Sequence, residues 1–253
     1  MASLDDLKKR IQSVKSTQKI TKAMKMVAAA KLRKAQENAE KGRPYSEKMN
    51  NIILNLSNGI SDKENAPKLL TGSGDEKVHL CVVLTSDRGL CGGFNSNIIE
   101  NISFKDSKNV NYFDADKVGK IIISVFEKKE FDVCTIFYNQ FKNVITQIPQ
   151  EQQIIPLKTS ETKNKSSFQN NYECEPEEDE ILSNLLPKNI STQIFKAMLE
   201  NSASEQGSRM TAMDNATRNA GEMVDKLTIQ YNRSRQAAIT KELIEIISGA
   251  ESL

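Results

Sequence analysis

The chain has 253 residues, 38% hydrophobic and 6% aromatic with no tryptophan, a thin core for this length that extensive exposed helix would explain. Lys and Arg number 35 against 33 Asp and Glu, a net charge of +2 that excludes a global pull toward nucleic acid. No run of eighteen apolar residues offers a membrane span, and Cys81, Cys91, Cys134 and Cys174 are spread without a C-x-x-C pair, which disfavours a metal or disulfide framework.

The start, Met1 to Asp6, turns acidic at once, unlike a secretory signal, and it lacks the Arg-rich look of a mitochondrial presequence. The sequence therefore reads as cytoplasmic or as a mature form already trimmed. From Ser3 to Lys41 there is no Gly or Pro. Leu4, Leu7, Ile11 and Val14 form an apolar stripe at steps of three and four. The stripe resumes at Ile20, Met24, Ala28, Leu32, Ala35 and Ala39 after a phase shift around Thr17. Ser3 ahead of Asp5 and Asp6 suits a helix start, with acids at the positive end of the helix dipole. Gly42-Arg43-Pro44 marks a stop or a kink within a segment that reads as helix over 1–57. Residues 1–34 carry ten basic side chains against Asp5 and Asp6, a local balance of +8. This basic arm expects an acidic surface, its own or a partner's.

The middle, residues 76–160, reads as a small α/β domain with a parallel sheet. Val78 to Thr85 is a short apolar run typical of a buried parallel strand, with His79 and Cys81 expected in the core. The loop Ser86 to Asn95 follows, and helical signal returns from Asn97. A helix over Asp114 to Lys129 puts Val118, Ile121, Ile122, Val125 and Phe126 on one face. Phe131 to Phe141 is a second strand, with Cys134 expected to be buried. Val144 to Leu157 is a third, looser extended piece with Pro149 and Pro156. Lys158 to Asn171 reads as a polar loop, and an acidic stretch covers 173–180.

Pro187 is expected to open the final helix, over 188–253. Apolar or small residues fall at Met210, Met213, Thr217, Ala220, Val224, Leu227, Tyr231, Ser234 and Ala238. Their steps alternate three and four, which is the seam of a coiled coil. A helix of roughly sixty residues would span about 90 Å and needs a partner of similar length. The N-terminal helix is the one candidate, so the economical arrangement is an antiparallel hairpin of the first helix against the last.

The glycine loop, with Gly89, Gly92 and Gly93 between strand and helix, sits where phosphate binding is found. Its spacing is neither G-x-G-x-x-G nor G-x-x-x-x-G-K-[ST], and no Lys follows to meet a terminal phosphate. A tight turn, with Asp87 and Arg88 holding the loop or meeting a partner, is the simpler account. No catalytic constellation is evident, and no cofactor or metal is expected.

Four segments together resemble the gamma subunits of rotary ATP synthases. They are STQKITKAMKMVAAAKL (16–32), TSDRGLCGGFN (85–95), SEQGSRMTAMDNAT (204–217) and YNRSRQAAITKELIEIISGA (231–250). The match is close over the first and last fifty residues and looser between. The resemblance implies a non-catalytic rotor shaft, one copy per complex, that couples proton flow through a membrane c ring to ATP synthesis. Its partners would be a 3:3 hexamer of alpha and beta subunits, an epsilon-type subunit and the c ring, with no nucleic acid. By position, Arg235, Gln236 and Thr240 would contact a beta-subunit loop, and Lys19, Lys22, Met24, Lys25 and Arg209 would sit near an acidic lever of beta. Arg43, Pro44, Tyr45, Tyr172 and Glu175 would belong to a foot on the c ring and epsilon. Asp87, Arg88, Gly89, Cys91 and Gly92 form the family's central loop. Location at the cytoplasmic face of a bacterial inner membrane is implied, the alternative being the matrix face of the mitochondrial inner membrane.

The sequence departs from that pattern between Asn97 and Asp114, where sixteen residues stand in place of a further strand–helix unit. The strand count is left open by this departure; the shaft is not. The Cys-pair insertion of thiol-regulated plastid forms is not present, so redox gating is not expected. The competing classes are a nucleic-acid-binding coiled coil, for which the basic helix lacks stacking aromatics, and a nucleotide-binding enzyme, for which the glycine loop lacks its lysine.

Overall fold

The computed structural model describes residues 3–59, 67–74, 76–98, 111–157 and 178–251. Its elements run α1 (Leu4–Gly59), α2 (Lys68–Thr71), β1 (His79–Val83), α3 (Phe94–Ile98), α4 (Tyr112–Glu127), β2 (Val133–Phe141), β3 (Gln147–Ile155) and α5 (Glu178–Glu251). The chain divides into two units, Met1–Ala29 with Arg209–Leu253, and Ala30–Ser208.

In the first unit, α1 starts as its sequence dictates. Ser3 Oγ accepts the Asp6 N–H at 3.3 Å, and its carbonyl accepts the Leu7 N–H at 3.1 Å. The helices run antiparallel, since Gln18, Thr21 and Lys25 meet Gly221, Thr217 and Asp214 in reverse order. The expected seam on α5 is the covered stripe: Met213 and Ala220 are buried, and Met210, Thr217, Val224, Leu227, Tyr231, Ser234 and Ala238 are half-buried. On α1 the phase shift does not occur. Gln18 and Thr21 carry the stripe from Val14 to Met24, and Ile20 points outward at 59% exposed. A search for apolar residues skips these two polar positions. The Thr217 hydroxyl lies 2.8 Å from that of Thr21, so the seam holds a polar layer in which these two hydroxyls meet each other.

In the second unit the sheet order is β1-β2-β3. β1 pairs parallel with β2, from His79↔Val133 to Val83↔Phe137. β3 pairs antiparallel with β2, so the sheet is mixed rather than parallel. The cause is the connection Lys142–Thr146, too short for a crossover helix. Asn143 closes it as a hairpin, its Oδ1 accepting the N–H groups of Ile145 and Thr146 at 3.0 and 2.6 Å. Among the described residues β1 is an edge strand. Leu80 and Val82 pack on the core, whereas His79 and Cys81, expected inside, are exposed.

The core joins Ala115, Ile122 and Phe126 of α4 to Cys134, Ile136 and Tyr138 of β2, Ile154 and Ile155 of β3, and Ile190, Ile194 and Ala197 of α5. Ile121 lies off this face and is exposed, because the buried line on α4 runs through Ala115, Gly119, Ile122 and Phe126. A second cluster joins Met49, Ile53 and Leu56 of α1 to Leu182 and Leu186 of α5. That cluster explains a further correction: Pro187 does not open α5 but lies inside it, nine residues after Glu178. An interior proline costs about 3 kcal/mol. Full burial of Leu182 and Leu186 returns roughly 1.5–3 kcal/mol each. α1 runs through Pro44 to Gly59, in line with the helix read over 1–57, so of the two readings of residues 42–44 the stop does not occur. The loop 158–171, Cys174 and most of the acidic stretch lie outside the described residues.

Two glycines give opposite expectations. A Cβ at Gly119 would fall 2.6 Å from Ser191 Oγ and 3.4 Å from its Cα, so Gly119→Ala must push α4 off α5 and destabilise the chain by about 1–3 kcal/mol. A Cβ at Gly221 meets only the flexible end of Gln18, at 3.0 Å, so Gly221→Ala should gain roughly 0.5–1 kcal/mol from helix propensity. Urea denaturation followed by circular dichroism separates the two. A thiol measurement tests the edge assignment. Brief alkylation at neutral pH, read by peptide mapping, should modify Cys81 and spare Cys134, whose thiol is pushed up to about 12 by burial and then by the neighbouring Cys81.

Candidate functional site

The C-terminal half of α5 exposes a polar patch around Arg235, with Ile229, Ile239 and Leu243 also exposed on the same helix. Tyr231, Ser234 and Ala238 turn to the seam, and Arg235, Gln236 and Thr240 are exposed opposite them. The Thr240 hydroxyl donates to the Gln236 carbonyl at 2.9 Å, one turn back, which fixes its rotamer and leaves its oxygen facing out. Arg235 presents a planar five-donor fork suited to a carboxylate.

The basic arm is less uniform than its sequence suggests. Lys19 and Lys22 are exposed, whereas Met24 and Lys25 are half-buried against α5. Lys25 Nζ sits 2.6 Å from Asp214 Oδ1, and Arg218 lies 3.6 Å from Oδ2 of the same carboxylate. The Lys25 hydrogen bond, with the Lys25 and Arg218 charges behind it, holds the Asp214 carboxyl below the usual aspartate range. Part of the arm's +8 is thus answered inside its own unit. Arg209, one turn before Met213, is half-buried.

The central loop spends several of its polar groups on itself. The Ser86 N–H donates to Asn95 Oδ1 at 2.9 Å, and the Ser86 hydroxyl donates to the Arg88 carbonyl at 3.0 Å. Cys91 is buried with its Sγ 3.2 Å from Ser86 Oγ, and its carbonyl accepts the Ser208 hydroxyl of α5 at 2.5 Å. Leu90 and Gly92 have φ of 67° and 62°, the left-handed turn that tightens the loop. Asp87, Arg88, Gly89 and Gly92 are exposed around this anchored core.

At the third place, Arg43 faces inward. Its Nε lies 2.5 Å from Glu200 Oε1 and its Nη2 2.9 Å from Oε2, and Nη2 also donates to the Phe141 carbonyl at 3.0 Å. The Phe141 N–H donates back to Glu200 Oε2 at 3.1 Å. The hydrogen bond to Glu200 raises the pKa of Arg43 above its ordinary value. Pro44 and Tyr45 are exposed beside it, and Tyr172 and Glu175 lie outside the described residues. Sequence reasoning missed Glu200, Asn201 and Ser204. The available signal was an acid set between Ala197 and Ala203, in a helix otherwise patterned for burial there; its partners on β2 and α1 carry no local mark.

A cleft of about 490 Å³ in the second unit is lined by Asn50, Glu151, Gln152, Gln153, Ile154, Leu157, Asn189 and Gln193. It is a chain of amides, with Gln193 donating to Asn50 at 2.8 Å and Gln152 donating to Gln193 at 2.9 Å. Amides neither titrate nor attack, and Glu151 is the one titratable side chain among the described lining residues, so they supply no acid–base pair. Among the described residues no three His, Cys, Asp or Glu side chains cluster as metal ligands, and no helix is long and apolar enough to cross a membrane.

A family described as ATP synthase matches residues 3–110 and again 100–253. The ATP synthase gamma chain of Pelagibacter ubique (strain HTCC1062) is 76% identical over 292 alignment positions covering all of both chains. That of Rhizobium etli (strain CIAT 652) is 51% identical over 294 positions, again covering both chains entirely. With 292 positions against 253 residues, at least 39 positions have no residue in this chain, and the two family matches overlap within the short Asn97–Asp114 interval. Among solved structures, a chain from the central stalk and c-ring of Tetrahymena thermophila mitochondrial ATP synthase is 26% identical, with a TM-score of 0.56, covering 78% of this chain and 99% of that one. A chain from Euglena gracilis mitochondrial ATP synthase shares the fold at 16% identity, with a TM-score of 0.64 and coverage of 98% and 94%.

The Asp214 pair has a defined pH signature. The folded pKa is depressed, so its contribution to stability is complete above the unfolded aspartate value of about 4 and is lost as pH falls through the lower folded value. Acid titration of the melting temperature should show Asp214→Asn less stable than wild type at neutral pH, with the gap closing in acid. A pH-independent gap would mean that the Lys25 contact contributes nothing.

Proposed function

Since the chain belongs to the ATP synthase gamma-chain family, we propose a residue-level account of how it couples its complex. The protein is the non-catalytic central shaft of the ATP synthase and works with the alpha/beta hexamer and the membrane c ring. It associates peripherally with that membrane-bound complex.

The observation that carries the account is the division of α5 around one stripe. From Arg218 to Thr240, each expected seam residue is covered, and most of the positions between them are exposed. A rod that turns inside a ring needs a stiff inner seam and an outer face that makes separate polar contacts. Residues 1–57 and 188–253 act as that rod, and 76–160 as the domain it carries. Arg235, Gln236 and Thr240 form the polar contact to a beta-subunit loop. Lys19, Lys22, Met24 and Arg209 meet the acidic lever of beta, with Lys25 contributing through a charge shared with Asp214. Pro44 and Tyr45 present the foot toward the c ring and the epsilon-type subunit, with Arg43 holding their turn in place and with Tyr172 and Glu175 completing it. The central loop, Asp87 to Gly92, offers its exposed charged rim as a further subunit contact. Placement at the cytoplasmic face of a bacterial membrane is supported by 76% and 51% identity to the Pelagibacter ubique and Rhizobium etli chains, against 26% to the mitochondrial chain of Tetrahymena thermophila.

Direct observation of rotation tests the account. With the hexamer fixed and a bead attached to this chain, ATP should drive stepwise rotation; a bead that never turns on an active hexamer would refute it. Residue roles separate by a double variant. Arg235→Ala with Gln236→Ala removes exposed groups that do little for the seam, so melting of the isolated chain should change by less than about 0.5 kcal/mol. In the assembled complex each lost charge-assisted contact is worth roughly 1.5–3 kcal/mol, so ATP hydrolysis and synthesis rates should fall several-fold. Full activity of the reconstituted double variant would show that this face meets nothing.

A further inference from the structure

We propose that Glu200 is a positioning residue that splints α1 at its weakest turn and makes the shaft torsionally stiff there, an inference that rests on the shaft function given above. The weak turn is set by Pro44. Proline has no N–H, so the Glu40 carbonyl loses its partner four residues on, and a helix bends or twists most easily at such a place. Arg43, the residue before it, is the one that Glu200 holds.

The hold is built from both sides. Glu200 is 1% exposed and takes the guanidinium fork in two parallel bonds, a geometry that fixes orientation as well as distance. A Cβ at Gly42 would lie 3.1 Å from Leu199 Cδ1, so α1 and α5 already approach closely one residue away. The same carboxylate accepts the Phe141 N–H, and the same guanidinium donates to the Phe141 carbonyl. One ion pair with a buried carboxylate therefore ties α1, α5 and β2 at a single point.

That point exists because the sheet is incomplete there. β1 stops pairing at Val83↔Phe137, and the Leu84 N–H takes the Phe137 carbonyl. Backbone groups alternate along a strand, so those of Asn139 and Phe141 face the side that β1 has left. Side chains take the place of the missing strand. Asn201 Oδ1 accepts the Asn139 N–H at 3.2 Å, Ser204 donates to the Asn139 carbonyl at 2.8 Å, and Glu200 with Arg43 satisfies both groups of Phe141. Asn201 and Ser204 fasten α5 to the sheet alone. Glu200 extends the fastening to α1. Twisting α1 at Pro44 must break bonds to a buried carboxylate, which is strongly unfavourable once one partner is lost.

The test uses the assembled complex, with the hexamer immobilised and a bead attached through the exposed Cys81 in a Cys174→Ser background. The angular variance of the bead on the stalled shaft reports stiffness. Glu200→Gln keeps the shape and removes the charge; it should raise that variance about twofold or more and lower the protons pumped per ATP against a gradient. Ser204→Ala removes an α5–β2 bond without touching α1, so it should lower the melting temperature and leave the variance at the wild-type value. If Glu200→Gln fails to assemble, Arg43→Lys, which keeps the charge and gives up the fork, should broaden the variance in the same direction. Wild-type variance in the Glu200 or Arg43 variant overturns the splint, as does equal broadening in Ser204→Ala. A wild-type complex that does not rotate at all would instead strike at the shaft function on which the splint rests.

Discussion

Neither terminal helix can cover its own apolar stripe, and each covers the other's. Over Arg218 to Thr240 the exposed residues greatly outnumber the covered ones, and the covered ones fall almost entirely at the three–four spacing of the seam. Most are small or weakly polar: Ala220, Gly221, Thr228, Ser234 and Ala238. Small residues bury little area apiece, so the pairing depends on its length and on close approach rather than on a few large anchors. The polar layer at Gln18, Thr21 and Thr217 adds a condition of register, because the two threonine hydroxyls meet in only one alignment of the helices.

What was legible in the sequence follows from this. A stripe that repeats through many turns is a strong signal, and the α5 seam could be read residue by residue. It failed on α1 where the stripe turns polar, at Gln18 and Thr21, since an apolar search jumps to Ile20. Proline misled for a related reason. The usual rule that it ends a helix assumes that nothing else holds the chain, but Leu182 and Leu186 hold α5 around Pro187, and the Glu200 contact holds α1 beside Pro44. Those partners lie in other elements and leave no local trace. The Arg43–Glu200 pair, 157 positions apart, was beyond any pattern search.

The sheet shows a different limit. An apolar run such as Val78 to Thr85 fits a strand covered on both faces, but β1 is an edge, and His79 and Cys81 are open to solvent. Parallel pairing was right for β1, and the direction of β3 was settled by a five-residue turn organised around Asn143. The chain is also short of its relatives by at least 39 alignment positions. Each unit has its own interior, so a shortened sheet unit does not remove any of the contacts that make the seam.

The separation of seam partners along the chain sets an order of events in synthesis. Lys25 and Asp214 are 189 positions apart, and Thr21 and Thr217 are 196 apart. At roughly 5–20 residues per second, on the order of ten seconds or more passes between the emergence of one and of the other. Throughout that interval the stretch from Leu4 to Ala28 has left the ribosome with its stripe uncovered. Residues 30–208 are all made before the α5 half of the seam, so the α1 half waits for its partner while they are synthesised. This stretch therefore needs either tolerance of prolonged exposure or a temporary holder, and its seven basic side chains between Leu4 and Ala28 favour tolerance by keeping it soluble while it waits.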